Sequence, residues 1–293
     1  MNNIYKVIFS PALGCMIAVS ECAKNKGKTT KSKKGSHRIL APLTILSGLM
    51  AFPLLASELP TGASVVSGSA SISSDGSTMT VNQSSNALIT NWQSFSIGKN
   101  NSVTFNQPTS TSVALNRVVG QDTSQILGNL NANGQVFLLN PNGIIIGNTG
   151  SVQTGGFVAS TLDMSNDDFL AGNYSFSGSE GSIVNNGNVS GAVVALIAPS
   201  VTNGETGTIN GDAALSAGTD VLLDFDGDGL ISIEVNASTV STLVDNKGMI
   251  QADSGFVILS AQGASDVLKG VVNNTGTIQA NTIGSENGRI YLL

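Results

Sequence analysis

From residue 58 onward, short apolar runs alternate with clusters of Gly, Asn, Ser, Thr and Asp. No stretch sustains the three-and-four apolar spacing of a long amphipathic helix, so residues 58–293 read as nearly all β. Turn punctuation is dense: Ser74-Asp-Gly76, Asn133-Gly134, Asn142-Gly143, Asn186-Gly187, Asn203-Gly204, Asn210-Gly211 and Asn287-Gly288 all mark places where the chain must change direction.

Two imperfect repeats run through this pattern. The first is an apolar pair, an Asn-rich turn, Gly and a further apolar residue: Ile183-Val-Asn-Asn-Gly-Asn-Val189, Val201-Thr-Asn-Gly-Glu-Thr-Gly-Thr-Ile209, Leu243-Val-Asp-Asn-Lys-Gly-Met-Ile250 and Val271-Val-Asn-Asn-Thr-Gly-Thr-Ile278. Its glycines, Gly187, Gly207, Gly248 and Gly276, lie 20, 41 and 28 residues apart. That is a unit of roughly 20 to 28 residues, skipped once, as a β-solenoid coil requires. The second is a small residue, Gly and a β run: Asn133-Gly-Gln-Val-Phe-Leu-Leu139, Ser254-Gly-Phe-Val-Ile-Leu-Ser260 and Asn287-Gly-Arg-Ile-Tyr-Leu-Leu293, with Gly191–Ala198 a looser relative. Each is expected to be one strand of successive rungs, with Asn residues stacked at the turns. The predicted fold is all-β: a right-handed parallel β-helix with an N-terminal cap and extra-helical hairpins. A two-sheet sandwich also yields short strands and Gly/Asn turns, but it leaves the recurring Val-Asn-Asn-Gly units unexplained. The last residues, Tyr291-Leu-Leu293, fall within a rung strand with no amphipathic cap after them, the pattern of a fragment of a longer solenoid.

Charge divides the chain in two. Up to Ser57 there are eight cations against one anion, a local +7, so the rest carries −13 of the overall −6. Within the first segment a basic run, Lys24 to Arg38, precedes an apolar stretch from Ile39 to Ala56 that holds Pro42, Gly48 and Pro53. Ala56 and Ser57 supply the small residues of a signal-peptidase site, so residues 1–57 read as a cleaved targeting segment and 58–293 as the mature domain. His37, Cys15 and Cys22 all lie upstream. Past Ser57 there is thus no residue for a Ser-His-Asp or Cys-His nucleophile system, for a zinc site of Cys and His, or for a disulfide. Five cations against a charge of −13 also exclude a nucleic-acid partner.

Enzymatic chemistry is the remote alternative. Asp167 and Asp168 form a carboxylate pair suited in type to acid/base work, yet an acidic polysaccharide would require a basic cleft that the composition lacks. No catalytic residue and no cofactor are assigned. Asp224, Asp226, Asp228 and Gly229 match positions one, three, five and six of a calcium loop, but Glu234 falls one place short of the bidentate acid. The other reading of the same residues is a hairpin with its tip at Asp226-Gly-Asp-Gly229. Trp92 and Phe95 read as core or cap residues rather than as a ligand platform.

The first residues, Met1-Asn-Asn-Ile-Tyr-Lys-Val-Ile-Phe-Ser-Pro-Ala-Leu-Gly14 and Ile17-Ala-Val-Ser-Glu-Cys-Ala-Lys24, resemble the extended signal-peptide region of large Gram-negative exported proteins, with Phe9 where that family usually has Trp. The ordered set Pro60–Val66, Ile89–Gly98, Val103–Gln107, Ala114–Val118, Gln125–Gly128, Asn133–Gly147 and Gly155–Thr161 resembles the two-partner secretion domain of the filamentous haemagglutinin family. This resemblance implies export by the general secretion machinery and then by a dedicated outer-membrane transporter, whose periplasmic POTRA domains recognise the domain. It places the family's signature at Asn116, Arg117, Asn133, Gly134, Asn140, Pro141, Asn142 and Gly143. It also implies an adhesin or haemagglutinin as the alternative, with the β-helix itself binding a host-cell surface ligand.

Overall fold

The computed structural model describes residues 5–10, 15–20, 59–178, 180–226, 230–236, 240–253, 255–263, 270–280 and 289–292, with backbone alone for 5–10, 15–20, 225–226, 230–232 and 289–292. The signal-cleavage residues Ala56 and Ser57 and the basic and apolar runs before them lie outside the described residues, as does Asp228. The chain forms two units, Met1–Phe52 and Pro53–Leu293. In the first, strands Tyr5–Ser10 and Cys15–Ser20 pair antiparallel.

The second unit is a parallel β-helix, as the repeats predict. The strands of successive coils stack into three walls. The first wall stacks Thr78–Gln83, Ser102–Asn106, Asn129–Ala132, Ser151–Gln153, the leading halves of Asn188–Ala198 and Thr208–Ala217, then Met249–Gln251 and Thr277–Gln279, all in parallel. The second stacks Ala87–Trp92, Val113–Val118, Gln135–Leu139, Gly156–Ser160, the trailing halves of those two long strands, Phe256–Ala261 and Arg289–Leu292. The third stacks Ser124–Ile126, Ile144–Ile146, Ile183–Asn185, Ser200–Asn203, Thr242–Asn246 and Gly270–Asn274. At the N-terminal end the pairing turns antiparallel: Ser64–Ser67 lies against Ala87–Trp92 and Ala70–Asp75 against Thr78–Gln83, forming the expected cap.

Period-2 alternation decides what each wall buries. In the first wall Met79, Val103, Leu130, Val152, Val189, Ile209 and Ile250 point inward and are buried. The second wall is apolar on both faces, the signature of a sheet covered on both sides. Val136 and Leu138 enter the helix interior, while Phe137 and Leu139 enter a second core outside it. That outer core is closed by the helix α1 (Asn166–Ala171) and by an antiparallel sheet of Tyr174–Ser177, Asp220–Asp226 and Leu230–Val235. Phe137 stacks against Phe169 and Tyr174 at centroid distances of 5.4 and 4.9 Å, and burial pushes the Tyr174 phenol up from its ordinary pKa.

α1 is the one helix among the described residues, and no long periodicity announces it. Its signal is local. Ser165 caps it by accepting from the Asp168 amide at 3.0 Å, and Gly172 ends it with a φ of 77°. Asp168 takes part in this cap, accepting from the Ser165 hydroxyl. The 41-residue interval between Gly207 and Gly248, read above as a skipped repeat, is instead one coil. Strand Thr208–Ala217 pairs directly with Met249–Gln251, and the extra residues leave the corner as the outer hairpin. The hairpin reading of 220–235 is therefore what these strands form. Asp224 pairs Ser232 and Asp226 pairs Leu230 across it.

At the corner between the third and first walls runs a chain of carboxamides. Asn185 Nδ2 donates to Asn203 Oδ1 at 2.9 Å, Asn203 Nδ2 to Asn246 Oδ1 at 2.8 Å, and Asn246 Nδ2 to Asn274 Oδ1 at 2.7 Å. The first three side chains are fully buried. The repeat's glycines sit beside this ladder because successive corners touch backbone to backbone: a Cβ on Gly248 would lie 2.2 Å from the Gly207 carbonyl oxygen, and one on Gly276 2.2 Å from that of Gly248. Asn203→Ala leaves a buried donor on one side and a buried acceptor on the other, so it is expected to cost about 3 kcal/mol. The solvent-facing Asn210→Ala should cost less than about 0.5 kcal/mol. Urea unfolding of the two variants checks the difference.

Candidate functional site

The predicted signature residues fall at the two ends of one strand, Gln135–Leu139. Asn133 and Gly134 precede it. Asn133 pairs with the backbone of Gln107 as a strand neighbour would, accepting from its amide at 2.7 Å and donating to its carbonyl at 2.8 Å. The buried Gln107 side chain returns the contact, its Oε1 accepting from the Gly134 amide at 3.0 Å. A Cβ on Gly134 would lie 2.6 Å from the Ser112 backbone carbonyl oxygen, which explains the glycine.

The other six residues come together at the far end of the strand. Parallel register sets Asn116 against Leu138 and Arg117 against Leu139, which carries Arg117 to the turn Asn140–Gly143. Alternation along Val113–Val118 sends Asn116 inward and Arg117 outward. Asn116 is fully buried, accepting from Trp92 Nε1 at 3.0 Å and donating to the Ala114 and Phe137 carbonyls. Trp92 and Phe95 are buried core residues in an edge-to-face pair, as expected.

Asn140 is the centre of the turn. Fully buried, it donates to the Asp122 carbonyl and Ser124 Oγ, both at 2.9 Å. Its Oδ1 accepts from the Asn142 backbone at 3.0 Å and from the Asn142 side chain at 3.1 Å, using all of its hydrogen-bonding capacity. Asn142 Nδ2 also donates to the Gly120 carbonyl at 2.9 Å, tying the turn to the previous coil. Gly143 closes the turn at φ 109°, left-handed backbone that favours glycine.

Arg117 spends its guanidinium inside the molecule. Nε donates to Asp163 Oδ1 at 2.9 Å, Nη1 to Asn166 Oδ1 at 2.7 Å, and Nη2 to the Met164 carbonyl. The fork thus clamps the segment that leads into α1. Asp163 and Asn166 lie 46 and 49 residues downstream, so no sequence signal links them to Arg117.

Between the clamp and the turn lies a recess of 290 Å³ with a floor of Val118, Leu139 and Leu162 and a rim that includes Arg117, Asp163, Pro141 and Asn142. Val119, 57% exposed, stands at its edge. The signature therefore divides: Asn116 and Asn140 are buried and build the corner, while Pro141 and Asn142 are exposed and present it. Arg117→Lys keeps the charge and loses the fork, and is expected to cost about 1–3 kcal/mol in urea unfolding. A change below about 0.5 kcal/mol would show that the clamp carries no stability.

The family model of the TPS secretion domain matches residues 56–292, and that of the Extended Signal Peptide of Type V secretion system matches residues 1–49. The chain is 36% identical over 250 residues to a heme/hemopexin-binding protein of Haemophilus influenzae strain Rd, a match covering 81% of this chain and 27% of the relative. A second heme/hemopexin-binding protein of Haemophilus influenzae is 32% identical over 241 residues, covering 73% and 26%. The chain thus spans about a quarter of the length of these relatives. The crystal structure of the HMW1 secretion domain from Haemophilus influenzae is similar with a TM-score of 0.65 at 33% identity, over 75% of this chain and 58% of that one. The matched family is one of secretion domains of exoproteins, not of enzymes. With a signal region that leads through the periplasm and a β-helix of this class behind it, the chain belongs to the TPS secretion domain family and is a secretion-targeting domain bound for the cell surface or beyond.

Proposed function

We propose that residues 58–293, freed by cleavage in the Ala56–Ser57 region, are the address by which an exoprotein is selected by its outer-membrane two-partner transporter, and that the transporter's POTRA domains dock at the recess beside Asn140–Gly143. The observation that carries this reading is convergence. Arg117 and the Pro141-Asn142 pair, 24 residues further along the chain, rim one recess with an apolar floor, and the exposed Val119 stands beside it. A floor of Val and Leu within a polar rim is the anatomy of a docking site for a partner's apolar side chain. Arg117, with its donors engaged by Asp163, Asn166 and Met164, shapes this site rather than reaching for the partner.

The chain needs no catalysis for this role. Asp168, one of the two carboxylates weighed for acid/base work, serves the cap of α1. The haem or hemopexin binding named in the relatives belongs to chains about three times as long.

Two measurements test the proposal. Co-expression with a candidate outer-membrane transporter encoded beside the gene should place the mature chain in the medium, and deletion of residues 58–163 should abolish that appearance. Val119→Asp is expected to leave the urea midpoint unchanged, since the side chain is exposed, and to lower export at least about fivefold, the equivalent of about 1 kcal/mol of docking energy. Asp226→Asn, on the outer hairpin, should export normally. Full export of Val119→Asp would remove the recess from the recognition surface.

A further inference from the structure

The outward face of the first wall carries two rows of side chains, one residue per coil in each. Register aligns Thr78, Ser102, Asn129, Ser151, Asn188, Thr208, Met249 and Thr277 in one row. It aligns Thr80, Thr104, Asn131, Gln153, Ser190, Asn210, Gln251 and Gln279 in the other. No member of either row is charged, although the chain past Ser57 carries −13. Unlike the second wall, whose outer face is buried under α1 and the hairpin sheet, this face lies open along the coils.

Along the corner where this face meets the second wall runs a trough of 1070 Å³ that crosses four consecutive coils. Its lining contains no Asp, Glu, Lys or Arg. Small residues at Ala132, Gly155, Gly191 and Ala192 leave the lining low, and Ser110 and Thr111 belong to it from the loop beyond Gln107. Asn131 and Gln153 contribute carboxamides from neighbouring coils. These amides are loosely engaged. Asn131 Nδ2 reaches Ser102 Oγ at 3.4 Å and Gln153 Nε2 reaches Ser151 Oγ at 3.5 Å, whereas the buried ladder closes at 2.7 to 2.9 Å. Contacts at 3.4 to 3.5 Å are at the limit of hydrogen bonding, so both donors remain available to a ligand. The Thr154 hydroxyl, buried in the same lining, has no hydrogen-bond partner among the described residues.

We propose that this trough binds an extended, uncharged polysaccharide of the straight β-1,4-linked type, laid along the coil axis. Amides and hydroxyls that both donate and accept are the groups that match sugar hydroxyls. A lining without cations on a strongly acidic chain repels anionic polymers and offers an acidic peptide nothing to pair with. Coils stacked about 4.8 Å apart present their side chains in a straight line, and a straight ribbon of sugars follows that line where a coiled one leaves it. The same charge of −13 opposes a second copy of the chain as the occupant.

The test uses the exported chain, isothermal titration and three hexasaccharide probes: cellohexaose, maltohexaose and hexagalacturonate. Cellohexaose should bind, and the other two should bind at least about tenfold more weakly. Asn131→Ala with Gln153→Ala should weaken cellohexaose at least about tenfold. Ala192→Tyr, which fills the trough from an exposed position, should do the same. All variants should be exported as the parent chain is, which separates this site from transporter recognition. No binding of cellohexaose at millimolar concentration, equal binding of either other probe, or binding indifferent to both variants would overturn the proposal. So would a dimer in sedimentation that Ala192→Tyr dissolves, since that assigns the trough to a second copy.

Discussion

The buried carboxamide chain through Asn185, Asn203, Asn246 and Asn274 fixes the register on which the rest of the domain depends. A strand that slips by one residue turns its inward set outward. At this corner it would also set Val184 in place of Asn185, leaving buried amides without partners. Each coil is thereby held at the height and phase where its Val or Ile meets the one below, and where glycine lets the corner backbones touch. Insertions are compatible with this constraint only if they leave at a corner. The segments carrying α1 and the 220–235 hairpin do so, and they return the chain to the register it left.

Both insertions then meet over the second wall, whose outer face would otherwise expose Ile89, Leu115, Phe137, Leu139 and Val158. The doubly apolar runs such as Gln135–Leu139 are therefore a consequence of the insertions: a strand covered on both faces has no solvent side to make polar. Arg117 joins the two systems, rising from a coil strand to hold the start of the covering segment.

Much of this was legible in the sequence because the solenoid repeats its instructions. The Val-Asn-Asn-Gly units gave the corner, the Gly-led β runs gave the second wall, and Asn140-Pro-Asn-Gly143 gave a tight turn. The repeat arithmetic misread the 41-residue interval, since a skipped coil and an inserted hairpin lengthen it equally and only strand pairing tells them apart. α1 was missed because six residues are too few to show a period; only Ser165, Asp168 and Gly172 mark it. At the site, sequence supplied the right residues without their division of labour. That Asn116 and Asn140 are internal while Pro141 and Asn142 are presented depends on alternation against coils dozens of residues away. Asp163 and Asn166, which complete the clamp, carry no pattern at all.

The antiparallel cap has a kinetic meaning for the stack behind it. Strands Ser64–Ser67 and Ala70–Asp75 occupy the N-terminal edge, so no coil can be added on that side. Every later coil finds its template in the coil just before it, at sequence separations of 18, 43 and 28 residues along the ladder, and its Asn arrives as the acceptor for an amide already pointing its way. Assembly of this kind runs like a zipper with one open end: each step closes a loop of tens of residues rather than hundreds, at modest entropic cost. A chain that emerges N-terminus first through a narrow passage meets the template for each coil in the order in which the coils appear.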